Sequence, residues 1–170
     1  MKLIGAILIC ISSTIIGLRI GTSERTRYHT LCGLSFALDF MIVEISCKLT
    51  PLKEIFEKLA FQAPEPIKHF FHQCVLCGET RLDDSIIKIW KETAENSKFL
   101  CLKDAELQVL KEIGTTLGRY RAEEQIALLK GFQTQVESLK ETAKEEQLRN
   151  RRVYRSLGIT CGVALVVLLI

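Results

Sequence analysis

Apolar residues fall into two regimes along this chain: unbroken runs at both ends, and a spacing of three and four between them. Leu31, Leu34, Leu38, Met41, Ile45 and Leu49 recur at that spacing, which is one face of a helix. Phe36, Phe40 and Val43 add apolar surface around it and predict a helix central to a bundle. Thr50-Pro51 then restarts the chain, because a threonine hydroxyl can cap free N–H groups and a proline at the first helical position loses no hydrogen bond. A second helix is predicted to about Phe61. The Pro64-Glu65-Pro66 break opens a third that ends near Gly78, and Asp83 or Asp84 caps a fourth carrying Ile86, Ile87 and Trp90. Asp104 caps a fifth that runs to Gly118, with Leu107, Leu110, Ile113 and Leu117 on one side. From about Glu123, Ile126, Leu129, Phe132, Val136, Leu139 and Ala143 continue without a proline into the last apolar run. Along the wet face of this longest helix, Glu137 with Lys140, Glu141 with Lys144 and Glu145 with Arg149 can pair, each worth about 0.2 to 0.5 kcal/mol. No strand pattern competes.

The ends are of another kind. Leu3 to Leu18 and Leu157 to Ile170 carry no charge, and both look like membrane helices. Strictly counted they span roughly 21 to 24 Å, against a hydrocarbon core of about 30 Å. Extending them to Ile20 and back to Val153 includes Arg19 and Arg155, whose stems can snorkel to the headgroups. A signal peptide is the competing reading of the first run, but Arg19 interrupts it before a clean cleavage pattern. Arg19, Arg25 and Arg27 follow the first run, and Lys140, Lys144, Arg149, Arg151, Arg152 and Arg155 precede the second, whereas only Lys2 lies outside. The positive-inside bias therefore places the middle of the chain in the cytoplasm. A third span from Leu31 to Cys47 would bury Asp39 and Glu44 at about 3 kcal/mol each, so that stretch is read as a core helix instead. The predicted fold class is all-α: an anchor over 1–20, a cytoplasmic helical bundle over 21–152 and a second anchor over 153–170.

Composition adds exclusions. The 170 residues are 48% hydrophobic and 25% charged, which rules out a disordered chain, and the net charge of +3 comes from mixed signs rather than a basic stripe for nucleic acid. Seven cysteines raise a metal or redox reading, centred on His69, His72, Cys74 and Cys77. On one helix Cys74 and Cys77 fall beside Ile67 and Phe70 while His72 points away, so the four cannot close a tetrahedron. Buried apolar cysteines are the preferred reading, with no metal and no cofactor. No phosphate loop, HExxH pair or GxSxG elbow is present, so no catalytic residue is assigned. Asp39 and Glu44 diverge by about 140° around a helix axis, and each is expected to cap, pair with a cation or reach the surface. Gly17-x-x-x-Gly21 and Gly158-x-x-x-Gly162 either bring helices close or are merely tolerated.

Specific residues can then be set against a family. Lys2 to Ala6, Glu44-Ile45 followed by Thr50-Pro51-Leu52, Thr116-Leu117-Gly118 before the last helix with Gln125, then Asn150, Tyr154 to Gly158 and Gly162 stand in a matching order and spacing. On these marks the chain resembles the stage III sporulation protein AB family over essentially its whole length. It departs where Ile42 replaces an acidic residue, Cys47 an aromatic one and Tyr120-Arg121 a Ser/Thr-Asp cap. The resemblance implies a membrane component of the mother-cell apparatus that joins mother cell and forespore through a secretion-like channel. It also implies a soluble domain like that of type II secretion F-type platform proteins. Its expected partners are the AA-type secretion ATPase of the same set and other membrane channel proteins, and a homo-oligomer is open. A cysteine-based redox or metal sensor, or an unrelated anchored regulator, are the rival readings.

Overall fold

Two long helices, one at each end of the chain, frame four short ones. The computed structural model describes residues 2–48, 50–81 and 85–169, with side chains described over 22–48, 50–81 and 85–150. In order these are α1 (Lys2–Lys48), α2 (Leu52–Gln62), α3 (Ile67–Thr80), α4 (Ile86–Asn96), a 3-10 turn (Lys98–Leu100), α5 (Asp104–Thr116) and α6 (Ala122–Leu169). Among the described residues there is no strand, so the fold is all-α. The predicted anchors, Tyr154, Gly158, Gly162, Gly17 and Gly21 lie outside the described side chains, as do Leu49, Asp83 and Asp84.

α1 and α6 run antiparallel along one another, with Arg27 opposite Glu146, Ser35 opposite Glu137 and Asp39 opposite Gln133. The predicted face of α1 is the one that packs: Leu31, Leu34, Leu38, Met41 and Ile45 are all buried. Thr22–Lys48 is long and apolar enough to cross a membrane, but half of its most apolar window is buried inside the bundle. Phe36 and Val43 depart from expectation. They stay on the surface, because α6 and the short helices cover only one side of α1.

The centre of the core is aromatic. Trp90 on α4 meets Phe70 edge to face at 5.0 Å, and Phe56 and Phe71 lie within 6 Å of it. Its indole N–H is the polar part of a wholly buried side chain, and it donates to the carbonyl of Leu110 on α5 at 2.7 Å. Gly114, one turn later, leaves room for the ring: a Cβ there would come within 2.1 Å of Trp90 Cδ1.

Several caps differ from the sequence reading. Thr50 does not cap α2. Its hydroxyl donates to Glu44 at 2.8 Å, and Pro51 takes the cap position with an extended backbone. Ser85 caps α4 by accepting the Lys88 N–H, one residue after the acids expected to do so. Lys103 precedes α5, and Glu106 reaches back to accept its backbone N–H at 2.9 Å, while Asp104 is simply the first helical residue. α5 ends at Thr116, before Gly118, and α3 continues past Gly78 to Thr80.

Candidate functional site: two charge clusters on the long hairpin

The α1–α6 hairpin carries a cluster of charges at each end of its described part. Arg27 lies on the same helical line as Leu31, Leu34 and Leu38, which carries its guanidinium into the protein until only 4% of it is exposed. Its Nε donates to both oxygens of Glu106 at 2.9 Å, and its Nη1 reaches Glu24 at 3.2 Å and also Glu146. Lys103 closes the group with a 2.6 Å contact to Glu146. One cation thus ties together α1, the start of α5 and α6. Burial works against the charge on Arg27, but the hydrogen bonds to Glu106 and Glu146 outweigh it and raise its pKa. Glu146 is held down to about 2 by hydrogen bonds from Lys103 and then Arg27.

The second cluster lies 17 residues further along α1, about 26 Å away along the axis. Glu44 is buried and accepts from Lys48 at 2.5 Å, Lys58 at 2.9 Å and Thr50 at 2.8 Å. Those three donors, Lys48 first, hold its carboxyl down to about 2. Lys58 comes from α2, so the cluster fastens the end of α1 to its successor. Leu52, two residues after Thr50, faces Gly118: a Cβ on Gly118 would sit 3.1 Å from Leu52 Cδ1. Gly118 has φ +71, a left-handed conformation that glycine adopts without strain.

The residues that carried the family resemblance sort onto these two ends. Glu44, Thr50, Leu52 and Gly118 meet at one, Pro51 lies beside them on the surface, and Gln125, buried near the start of α6, belongs to the same end by the antiparallel register. Asn150 is half-buried at the other end, four residues beyond Glu146. Asp39 and Glu44 point apart as expected: Asp39 is exposed and accepts from Gln133. Of the predicted pairs on α6, Glu137 with Lys140 forms. Arg27, Glu106 and Glu146 were not anticipated. The available signal was the helical line from Arg27 to Leu31 and Leu34, which places a charge on a core face.

The cysteine reading divides by position. Cys74 is buried, Cys32, Cys77 and Cys101 are partly buried and Cys47 is exposed. Burial pushes the Cys74 thiol up to about 12, away from the thiolate that redox or metal chemistry requires. His69 and His72 lie on the exposed side of α3, and His69 Nε2 accepts from the Gln73 amide nitrogen at 3.1 Å. Among the described residues no group of three or more His, Cys, Asp or Glu is placed to hold a metal ion.

The sequence profile of the family described as Stage III sporulation protein AB matches residues 2–170. The chain belongs to that family. A relative from Bacillus subtilis (strain 168), named stage III sporulation protein AB, is 28% identical over 176 residues, covering 99% of each chain. A solved structure with the same name superposes with a TM-score of 0.65 at 26% identity, covering 73% of this chain and 98% of that one. Family membership ties the bundle to the sporulation apparatus, and the family is a structural one rather than a known enzyme family. In this chain each of the two charge clusters joins separate helices through a buried charge.

Proposed function

We propose that this chain is a membrane-tethered, non-enzymatic platform in the sporulation secretion-like channel between mother cell and forespore. In this reading it docks a cytoplasmic secretion-type ATPase and membrane channel proteins on its helical bundle. One observation carries the proposal. Because α1 and α6 are antiparallel, the N-terminal and C-terminal apolar runs leave the bundle at the same end, beside the Arg27 cluster. Two apolar segments emerging together are what two anchors in one bilayer require, and the basic residues at the same end suit the cytoplasmic headgroup surface.

A domain held at two points loses rotational freedom that a singly tethered one keeps, so its partner surface is presented in fewer orientations and assembly has less disorder to overcome. Affinity purification of the intact protein from sporulating cells tests the reading. Co-purification of a secretion-type ATPase and channel proteins supports the platform; a membrane-bound protein that brings down neither is a regulator instead.

A further inference from the structure

Arg27 meets Glu146 across the hairpin, and each stands seven residues from an apolar run, the one ending at Ile20 and the other starting at Val153. Both helices are continuous through these positions, so the two runs begin level with one another, about 10 Å from the Arg27 cluster. The turn between α4 and α5 lies at that same end. Thr30 donates to its Leu100 carbonyl at 2.8 Å, Lys103 meets Glu146 at 2.6 Å, and Glu106 just beyond it accepts from Arg27 at 2.9 Å. Exposed charge here is one-sided. Arg25, Lys98, Lys103 and Arg149 are exposed with Asp104 as the acid beside them, while Glu24, Glu106 and Glu146 are drawn in onto Arg27. Lys98 and Arg149 form no ion pair among the described residues. At the Glu44 end the exposed charges are mixed instead, with Lys53 beside Glu54 and Glu57, and Arg121 beside Glu123 and Glu124.

Building on the tethered reading given above, which puts the bilayer at this end, we propose that the α4–α5 turn is a third foothold on the membrane, where Lys98 binds anionic lipid headgroups. Arg27 and Thr30, which hold the turn, are seven and ten residues from Ile20, about 10 to 15 Å along α1. Headgroups fill about 5 to 7 Å of that distance, and the remaining gap of about 3 to 10 Å is comparable with the Debye length of about 8 Å at physiological salt. An exposed cation on the turn is therefore attracted to an anionic leaflet, and one at the Glu44 end is screened from it. Lys98 also has leverage. The two runs leave side by side and define one line, about which the short helices can swing. Phe99, next to Lys98, packs on His69 of α3 at 4.8 Å between ring centres, so this part of the turn lies under the short helices and off that line. Holding it to the surface stops the swing.

The full-length chain in lipid nanodiscs provides the test. Three variants, each in a background without native cysteines, carry a fluorophore on Asn96→Cys next to the turn, on Ser23→Cys beside the first apolar run, or on Thr115→Cys toward the Glu44 end, all at exposed positions. The discs contain phosphatidylcholine with a nitroxide on its headgroup as quencher, with or without phosphatidylglycerol. Ser23→Cys should be quenched in both kinds of disc, Thr115→Cys in neither, and Asn96→Cys only where phosphatidylglycerol is present. Adding Lys98→Glu should abolish the Asn96→Cys signal, and raised salt should weaken it. Hydrogen exchange of the native chain needs no substitution and covers the case of a poorly folded variant: amides of residues 97–103 should exchange more slowly in discs with phosphatidylglycerol.

Exchange at 97–103 that is the same in both kinds of disc overturns the foothold. Quenching of Asn96→Cys that is equal in the two, or that survives Lys98→Glu, overturns it too, since either means nearness to the bilayer without a bond to its charge. An unquenched Asn96→Cys beside a quenched Ser23→Cys defeats the foothold alone and leaves the tether standing. An unquenched Ser23→Cys, or a chain that does not stay with the discs, defeats the tethered reading and with it this proposal.

Discussion

Glu44 sits on the buried side of α1, where an unpaired carboxylate would be expelled, yet Lys48, Lys58 and Thr50 all donate to it. Its pKa falls from 4.5 to about 2 on folding. A depressed carboxyl pKa contributes stability that is fully present above 4.5 and is lost as the pH drops from there towards 2. Glu146, lowered over the same interval, adds to the slope. Denaturant unfolding at pH 6 and pH 3 should therefore show a smaller difference for Glu44→Gln than for the native protein, and equal differences would refute the assignment. Arg27 is the sharper case, because its removal leaves Glu106, 2% exposed, without its main partner. Arg27→Met should destabilise the protein by about 3 to 5 kcal/mol, and adding Glu106→Leu should recover part of that loss. Urea midpoints for the single and double variants decide it: a double variant worse than the single excludes a stranded charge as the cause. Both residues stand on core-facing helical lines, so their burial was legible in the spacing. The identity of their partners was not, since Glu106 and Glu146 lie far along the chain and only the packing of α5 and α6 brings them near.

At the scale of elements, the number and order of helices follow the apolar spacing, while their ends follow local hydrogen bonds. Thr50 illustrates why. Its hydroxyl is turned to donate to the Glu44 carboxylate, a charged acceptor that makes a strong bond, and the chain enters α2 with Pro51 rather than Thr50 at the cap position. Ser85 rather than an aspartate caps α4 for a similarly local reason: its Oγ reaches the Lys88 N–H. The joints between elements are where single changes should tell most. Gly114→Ala forces a methyl into the Trp90 ring and should cost about 1 to 3 kcal/mol or more, with a changed tryptophan fluorescence maximum as the ring moves. Gly118→Ala places a side chain at φ +71 and against Leu52, for about 1 to 2 kcal/mol, while leaving the tryptophan signal unchanged. Thermal unfolding of the two variants beside the native protein measures both, and an unaltered melting temperature for either would show that the joint can relax.

For the whole molecule, the antiparallel long hairpin sends both apolar runs out of one end of the bundle, and the cytoplasmic orientation proposed above can be probed by thiol labelling of cells. A Thr134→Cys reporter, in a background without native cysteines, should resist an impermeant thiol reagent applied outside intact cells and react after the cells are opened. Thr134 is exposed on α6, so silence before lysis is not burial. Ser97 would be a poor reporter: it is buried and donates to the Thr93 carbonyl at 2.6 Å. Labelling of Thr134→Cys in intact cells would reverse the orientation. On the proposed platform reading, removal of residues 157–170 should leave a folded domain that assembles poorly with the membrane proteins that reading assigns to it. Normal assembly and sporulation at native abundance would show that the second anchor is dispensable.

Periodicity alone determined that this chain folds as helices, which face of α1 enters the core and that the longest helix closes the sequence. These are properties of neighbours three and four residues apart, and the spacing of apolar side chains around a helix encodes them directly. Only the tertiary structure decided that Arg27 meets Glu106 and Glu146, that Leu52 closes on Gly118, and that Phe36 and Val43 remain outside. Each of those outcomes depends on which helices lie against which. α1 is apolar on two sides, the bundle covers one, and the side left uncovered is set by where α6 packs after the chain has turned back.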